Sequence, residues 1–184
     1  MTIKKKWFQS WFDTSYYHTL YKHRDDKEAQ MFMKNLVRHL EIDSDQHILD
    51  LACGKGRHSI FLNQLGFNVT GVDLSSHNIL QAQEYSNARL KFSIHDMRTP
   101  MKLQFDFILN MFTSFGYFDS HEDDKKVLAA IRDGLKSEGL AVIDFMNIHY
   151  VLERLVSEEK ICLDGIDFEI HRFYDGNFLR KSIK

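Results

Sequence analysis

From residue 47 onward the chain alternates short apolar runs with helical stretches, and this rhythm leaves few folds open. The runs are 47–51, 67–72, 90–94, 105–109 and 140–145, with helical stretches at about 57–65, 76–86 and 121–135. Strands separated by helices return to their sheet through right-handed crossovers, so the prediction is a mainly parallel, doubly wound α/β sheet covered on both faces. Ahead of it, Ala29, Phe32, Met33, Leu36, Val37 and Leu40 recur at the spacing of a helix with one buried face over 25–40. Asp25 can cap that helix, Glu28 completes a capping-box-like start, and Asp26 suits its positive end. After residue 145 one helix is expected at about 148–157. A hairpin follows, with arms 168–174 and 178–183 around Asp175-Gly176-Asn177. The single proline, Pro100, and the lack of repeats or low-complexity linkers predict one domain over 1–184. Within it, 1–45 is read as a helical cap and 165–184 as a terminal hairpin.

Composition removes several classes of function. A formal net charge of −2 leaves no large positive field to collect nucleic acid, so a nucleic-acid partner is not expected. No apolar run approaches the ~20 residues of a membrane helix. Lys4, Lys5 and Lys6 precede Trp7-Phe8-Gln9-Ser10-Trp11-Phe12, which is too short and too polar for the core of a signal peptide, and a cytoplasmic location is expected. Cys53 and Cys162 supply neither a disulfide framework nor a ligand set, and the 10 histidines show no HExxH spacing, so no metal is expected.

The chemistry concentrates at the strand ends. The first strand runs into Asp50-Leu51-Ala52-Cys53-Gly54-Lys55-Gly56-Arg57-His58-Ser59-Ile60, a glycine turn opening a helix at the carboxyl edge of the sheet, where open α/β sheets bind ligands. Gly54 and Gly56 admit a ligand close to the backbone, and the turn's amides can donate to a carboxylate or phosphate. Asp50 is an acceptor for an ammonium or for those amides. The second strand ends in Gly71-Val72-Asp73-Leu74-Ser75, and an acid there can accept both hydroxyls of a ribose. Ser75 or Ser76 can cap the following helix. After the third strand, Asp96 can take an adenine amino group, with Met97 beside it.

Together these residues resemble the class I S-adenosylmethionine (SAM)-dependent methyltransferases of the small-molecule type. Ile48 to Gly56 look like the family's first motif, in the form D-x-A-C-G-x-G, and Gly71 to Ser75 like its second; Asp96-Met97 falls at its adenine-contacting acid, and Phe105 to Asn110 looks like its fourth strand. The likeness covers roughly 40–146 and implies a Rossmann-like sheet in the order 3-2-1-4-5. It also implies that SAM is the cofactor. In that reading Gly54, Gly56 and the carbonyl of Ala52 face the methionine part and Asp73 faces the ribose, with Asp50 and Leu74 also among the cofactor-binding residues. Asp96 and Met97 meet the adenine, and Asn110 lies near the methyl group. Upstream, Arg24 pairs with the methionine carboxylate and Tyr17 and Tyr21 wall the pocket. Residues 112–118 follow the fourth strand, where many relatives place substrate-facing groups. The Asn/Asp-Pro-Pro-Tyr/Phe tetrad of nucleobase and amide N-methyltransferases is absent.

The family sheet normally continues into a sixth and an inserted seventh strand. The sequence shows no such unit, so a carboxyl-terminally incomplete domain is expected, with strand five at an exposed edge open to a second copy of the chain. The function implied is methyl transfer to a nucleophile on a small molecule. No catalytic residue is assigned; His18, His58, His95 and His121 are the candidates where a base is needed. Two alternatives stand beside it, a SAM-binding domain without transfer activity and a nicotinamide-dependent oxidoreductase. The second needs a third glycine at the position of Ser59.

Overall fold

The computed structural model describes residues 11–12, 14–22, 26–118 and 120–184. They form two compact units: one gathers the described residues through Thr14 and those of 26–145, the other those of 15–22 with 146–184.

The first unit is built on five parallel strands: β1 (His47–Leu51), β2 (Asn68–Asp73), β3 (Leu90–Ile94), β4 (Phe105–Asn110) and β5 (Leu135–Ile143), ordered β3-β2-β1-β4-β5. This is the expected order. The central pairing sets Asp50 opposite Gly71 on one side and Leu109 on the other. Strand alternation then sends side chains to two cores. Ile48, Val69, Phe107 and Leu109 face Met33 and Val37 from α2 (Asp26–His39), Phe61 and Leu62 from α3 (Arg57–Gln64), and Ile79 and Ala82 from α4 (Ser76–Gln83). Leu49, Leu51, Val72 and Ile108 face Val127 and Ile131 from α5 (His121–Gly134). Ser75 caps α4 by accepting the Asn78 amide at 3.0 Å, and Ser120 caps α5 by accepting the Asp123 amide at 3.2 Å. Gly56, with φ 81°, starts α3 without a side-chain cap.

β5 begins five residues before its expected start. Phe105 pairs with Leu135, but Phe107 pairs with Leu140, so a bulge interrupts the ladder. Glu138 takes φ 64° inside it, and a Cβ on Gly139 would lie 3.0 Å from the Lys136 carbonyl. Nothing in the alternation of apolar residues announces such a bulge. Among the described residues β5 pairs with β4 alone and is an edge strand, as anticipated.

The second unit contains α1 (Ser15–Leu20), α6 (Ile148–Glu153) and an antiparallel sheet β6-β7-β8, made of Glu158–Leu163, Ile166–Tyr174 and Leu179–Ile183. Its last two strands are the expected hairpin, with Tyr174 paired to Leu179. The expected helix to 157 is corrected: it stops at Glu153, and β6 follows. Leu163 pairs with Ile166 across Asp164 (φ 52°) and Gly165 (φ 77°), a two-residue turn of the Asp-Gly kind that matches strand twist. That dipeptide was a readable hairpin signal.

Candidate active site

The loop after β1 is wound by three left-handed residues, Ala52 (φ 67°), Gly54 (φ 57°) and Gly56 (φ 81°). For Ala52 this costs about 1–2 kcal/mol, so the surrounding bonds must hold it. They come from β2. The Cys53 amide donates to the Val72 carbonyl at 2.9 Å, and the Gly54 amide donates to Asp73 Oδ2 at 2.9 Å. Asp73 Oδ1 accepts the Ser75 amide at 2.8 Å, so one carboxylate ties the glycine loop to the start of α4.

The two glycines serve different ends. A Cβ on Gly54 would meet nothing within 4 Å, which leaves open space above the loop; on Gly56 it would strike the Phe92 ring at 2.7 Å. Phe92 also fills the space over Gly71, where a Cβ would lie 2.6 Å from the ring and 2.8 Å from Ser59 Oγ. Gly71, read only as part of the second motif, is therefore a packing position that lets α3 sit close to β2. Ser59 occupies the place of a third fingerprint glycine. Its hydroxyl donates to Asp50 Oδ2 at 2.5 Å.

Asp50 is buried beneath the loop, 2% exposed, and burial pushes its carboxyl up to about 6 against the opposing Ser59 bond, with the Asp73 charge adding to the rise. Its carboxylate thus meets Ser59 inside the fold. Cys53 is also buried, and burial with the charges of Asp50 and Asp73 pushes its thiol up. It is an inert thiol.

At the end of β3 the His95 amide donates to the Asp73 carbonyl at 2.9 Å, which places the Asp96 turn beside Asp73. Asp96 accepts the Arg98 guanidinium at 2.5 Å and the Arg98 amide at 3.0 Å; the arginine's bonds hold its carboxyl below the usual range. Arg98 also reaches Asp123 at 2.8 Å and stacks 4.9 Å from the Phe118 ring centre, fastening this turn to α5. Met97 and Leu74 pack against the Leu49 core.

Asn110, fully buried at the end of β4, donates to the Leu51 carbonyl at 2.8 Å, while its Oδ1 has no partner among the described residues. Beyond it, Phe112 (φ 57°) and Thr113 (φ 58°) are consecutive left-handed residues. The Phe112 amide donates to Asp144 Oδ2 at 2.8 Å. Its ring lies flat on His58, centres 4.6 Å apart, with the Arg57 guanidinium 5.2 Å from its centre. Burial, then Arg57, lowers His58 to about 4, so the imidazole is neutral near pH 7. His95 Nε2 bonds the Thr99 carbonyl at 2.8 Å, and the exposed His121 lies 3.9 Å from Asp124. Nothing is described of the His18 side chain.

Of the upstream residues, Arg24 lies outside the described residues, as does Asp25. Tyr17 and Tyr21 belong to the second unit, where their rings are 5.0 Å apart and the Tyr21 hydroxyl accepts Lys181 Nζ at 2.7 Å. The carboxyl edge of the first unit thus brings together Ala52, Gly54, Gly56, Asp73, Leu74, Asp96, Met97 and Asn110. Sequence reading missed Ser59, Phe92, Arg98 and Asp144 as its supports, because each acts through a partner distant in the chain.

Comparison with known proteins agrees with this geometry. Residues 48–139, half of the chain, match the methyltransferase domain family. Glycine/sarcosine N-methyltransferase of Aphanothece halophytica is 29% identical over 164 residues, which cover 83% of this chain and 60% of that protein. The chain therefore spans less than two thirds of that relative. Among solved structures, an S-adenosylmethionine-dependent methyltransferase from Clostridium acetobutylicum superposes with a TM-score of 0.71 at 20% identity, covering 92% of this chain and 76% of the other. A SAM-bound amino pentose methyltransferase from Micromonospora echinaspora gives a TM-score of 0.69 at 16% identity, covering 93% and 80%. Among the described residues no helix is long and apolar enough to cross a membrane. With its five parallel strands in the order 3-2-1-4-5 and its family match across the glycine loop and Asp73, this chain belongs to the class I SAM-dependent methyltransferases.

Proposed function

We propose that this chain binds SAM over the loop after β1 and transfers its methyl group to an amine nitrogen of a small molecule. One observation carries the cofactor half: the Asp73 carboxylate clamps the Gly54 amide while the space over Gly54 stays open. An acid at the end of the strand beside the glycine loop is placed to accept the hydroxyls of a ribose. In this reading Gly54, Gly56 and the Ala52 carbonyl border the methionine part, Asp96 and Met97 the adenine, and Asn110 the methyl. The roles that the sequence resemblance implies for Arg24, Tyr17 and Tyr21 stay part of the proposal on that ground alone. Asp50 acts from below, shaping the loop through Ser59. Bound SAM supplies an activated methyl on a sulfonium. The chain's own task is to align the nucleophile in line with it and exclude water, which needs no compulsory base. The neutral, stacked His58 suits a wall better than a base.

The amine acceptor rests on the likeness to the Aphanothece relative, a glycine/sarcosine N-methyltransferase. A nicotinamide cofactor is disfavoured by Ser59, whose hydroxyl is committed to Asp50. A cytoplasmic location agrees with two free thiols, and pairing of two copies through β5 agrees with its open edge. Isothermal titration of the chain with SAM, S-adenosylhomocysteine and NAD tests the reading: the first two bind and NAD does not. Asp73→Ala lowers SAM affinity about tenfold to a hundredfold. Failure of SAM to bind, or an unchanged affinity in the variant, rejects the assignment. SAM binding without transfer to any amine of a panel would favour a binding domain.

A further inference from the structure

The two central strands end in the same way. β1 is followed by a loop with left-handed Ala52, Gly54 and Gly56, pinned by an acid at the end of its outer neighbour β2: Asp73 accepts the Gly54 amide at 2.9 Å. β4 is followed by a loop with left-handed Phe112, Thr113 and Gly116, and here too an acid just past the outer neighbour does the pinning: Asp144, after β5, accepts the Phe112 amide at 2.8 Å. Both loops stand at the carboxyl edge where the strand order reverses, the place at which doubly wound sheets open a crevice. The first loop is the cofactor half. The second follows β4, the strand on the other side of the reversal.

The second loop is anchored twice by adjacent residues. Asp144 also donates its own amide to the Asn110 carbonyl at 2.9 Å, which seats its carboxylate beside the loop's origin. At the far end a Cβ on Gly116 would come within 3.3 Å of the Phe145 ring, so loop and strand end lie in contact there. Between these anchors the Ser114 hydroxyl donates to the Met111 carbonyl at 2.9 Å, and the Phe112 ring is laid on His58. Phenylalanine and threonine do not adopt left-handed backbone by preference, and threonine, β-branched, resists it most. The Phe112 amide, donated to Asp144, fastens the first of them in place.

We propose that Asp144 is a positioning residue for the methyl acceptor: it holds Phe112 and Thr113 in the turn that forms the acceptor-side wall of the crevice, and contributes nothing to cofactor affinity. This rests on the cofactor half lying over Gly54 and Asp73, as argued above. Substitution at Asp144 then alters the handling of acceptor and leaves that of SAM alone.

The test uses the full chain with its Asp144→Ala, Asp144→Asn and Asp73→Ala variants, read by hydrogen exchange at the Phe112 to Ser114 amides, titration with S-adenosylhomocysteine, and initial rates with sarcosine as acceptor. In Asp144→Ala exchange at Phe112 speeds up about tenfold, the equivalent of one net hydrogen bond. Asp144→Asn retains protection because its amide oxygen still accepts. S-adenosylhomocysteine affinity stays within about twofold of the parent in both, whereas Asp73→Ala loses it. With sarcosine, KM for the amine rises in Asp144→Ala, KM for SAM does not, and Asp144→Asn recovers the parent value. Unchanged exchange at Phe112, or a loss of S-adenosylhomocysteine affinity matching that of Asp73→Ala, overturns the proposal. A parent that binds no S-adenosylhomocysteine overturns it together with the cofactor reading. A parent that binds it but methylates no sarcosine removes sarcosine as its acceptor; unchanged exchange at Phe112 then overturns the proposal, and faster exchange with parental S-adenosylhomocysteine affinity upholds it.

Discussion

At the scale of residues, the glycine motif divides into positions that serve a ligand and positions that serve packing. Gly54 has open space where a side chain would be, whereas a Cβ on Gly56 or Gly71 would lie less than 3 Å from the Phe92 ring. Gly71→Ala should destabilise the fold by about 1–3 kcal/mol, the usual cost of overpacking. Gly54→Ala should cost only the left-handed conformation, about 1–2 kcal/mol, and act mainly on SAM affinity. Urea denaturation separates the two, and a Gly71→Ala variant as stable as the parent would refute the packing role. Asp50 adds a pH dependence. Its carboxyl is raised from 3.8 to about 6, so between those values the folded chain binds a proton that the unfolded chain does not. Its contribution is therefore fully present below pH 3.8 and declines as pH rises to about 6, by about 3 kcal/mol. Asp50→Asn keeps an acceptor for Ser59 and cannot ionise. The variant should gain on the parent steadily from pH 4 to pH 6; denaturation curves that stay parallel across that window would count against the buried charge.

At the scale of elements, strands and helices with strong local signals stood where the sequence placed them. β1, β2, β3 and β4 lie within a residue of their expected bounds, since each is an apolar run closed by a polar turn. Two elements escaped. β5 carries a bulge at Glu138 and Gly139 that extends it backward to Leu135, and β6 lies in the stretch between the expected helix and the expected hairpin, to which no element was assigned. β6 alternates half-buried with exposed residues and ends at Asp164-Gly165, so its signal was present but weak beside the helix before it. Gly165 takes φ 77° with nothing near its Cβ position, so Gly165→Ala should cost about 1 kcal/mol by conformation alone. Hydrogen exchange should locate that loss in β6 and β7, where Cys162 pairs with Asp167. An equal loss of protection through β1 and β4 would contradict it.

At the scale of the whole molecule, ligand linkage offers a check on family membership that needs no acceptor. SAM at a hundred times its Kd should raise stability by about 2.7 kcal/mol, while NAD at the same concentration should leave the unfolding midpoint unchanged. A rise with NAD and none with SAM would favour the oxidoreductase. The sequence by itself determined the alternation of strands and helices, the glycine loop and Asp73, because hydrophobic period and backbone permissiveness are local properties of neighbouring residues. Tertiary structure alone decided that Asp50 is turned inward onto Ser59 and that Asp96 is held by Arg98. It also decided that Phe92 closes over Gly71 and that Asp144 pins a loop 32 residues earlier in the chain. A hydrogen bond or a ring contact depends on distance in space, and only the crossovers of the sheet bring these distant residues within reach.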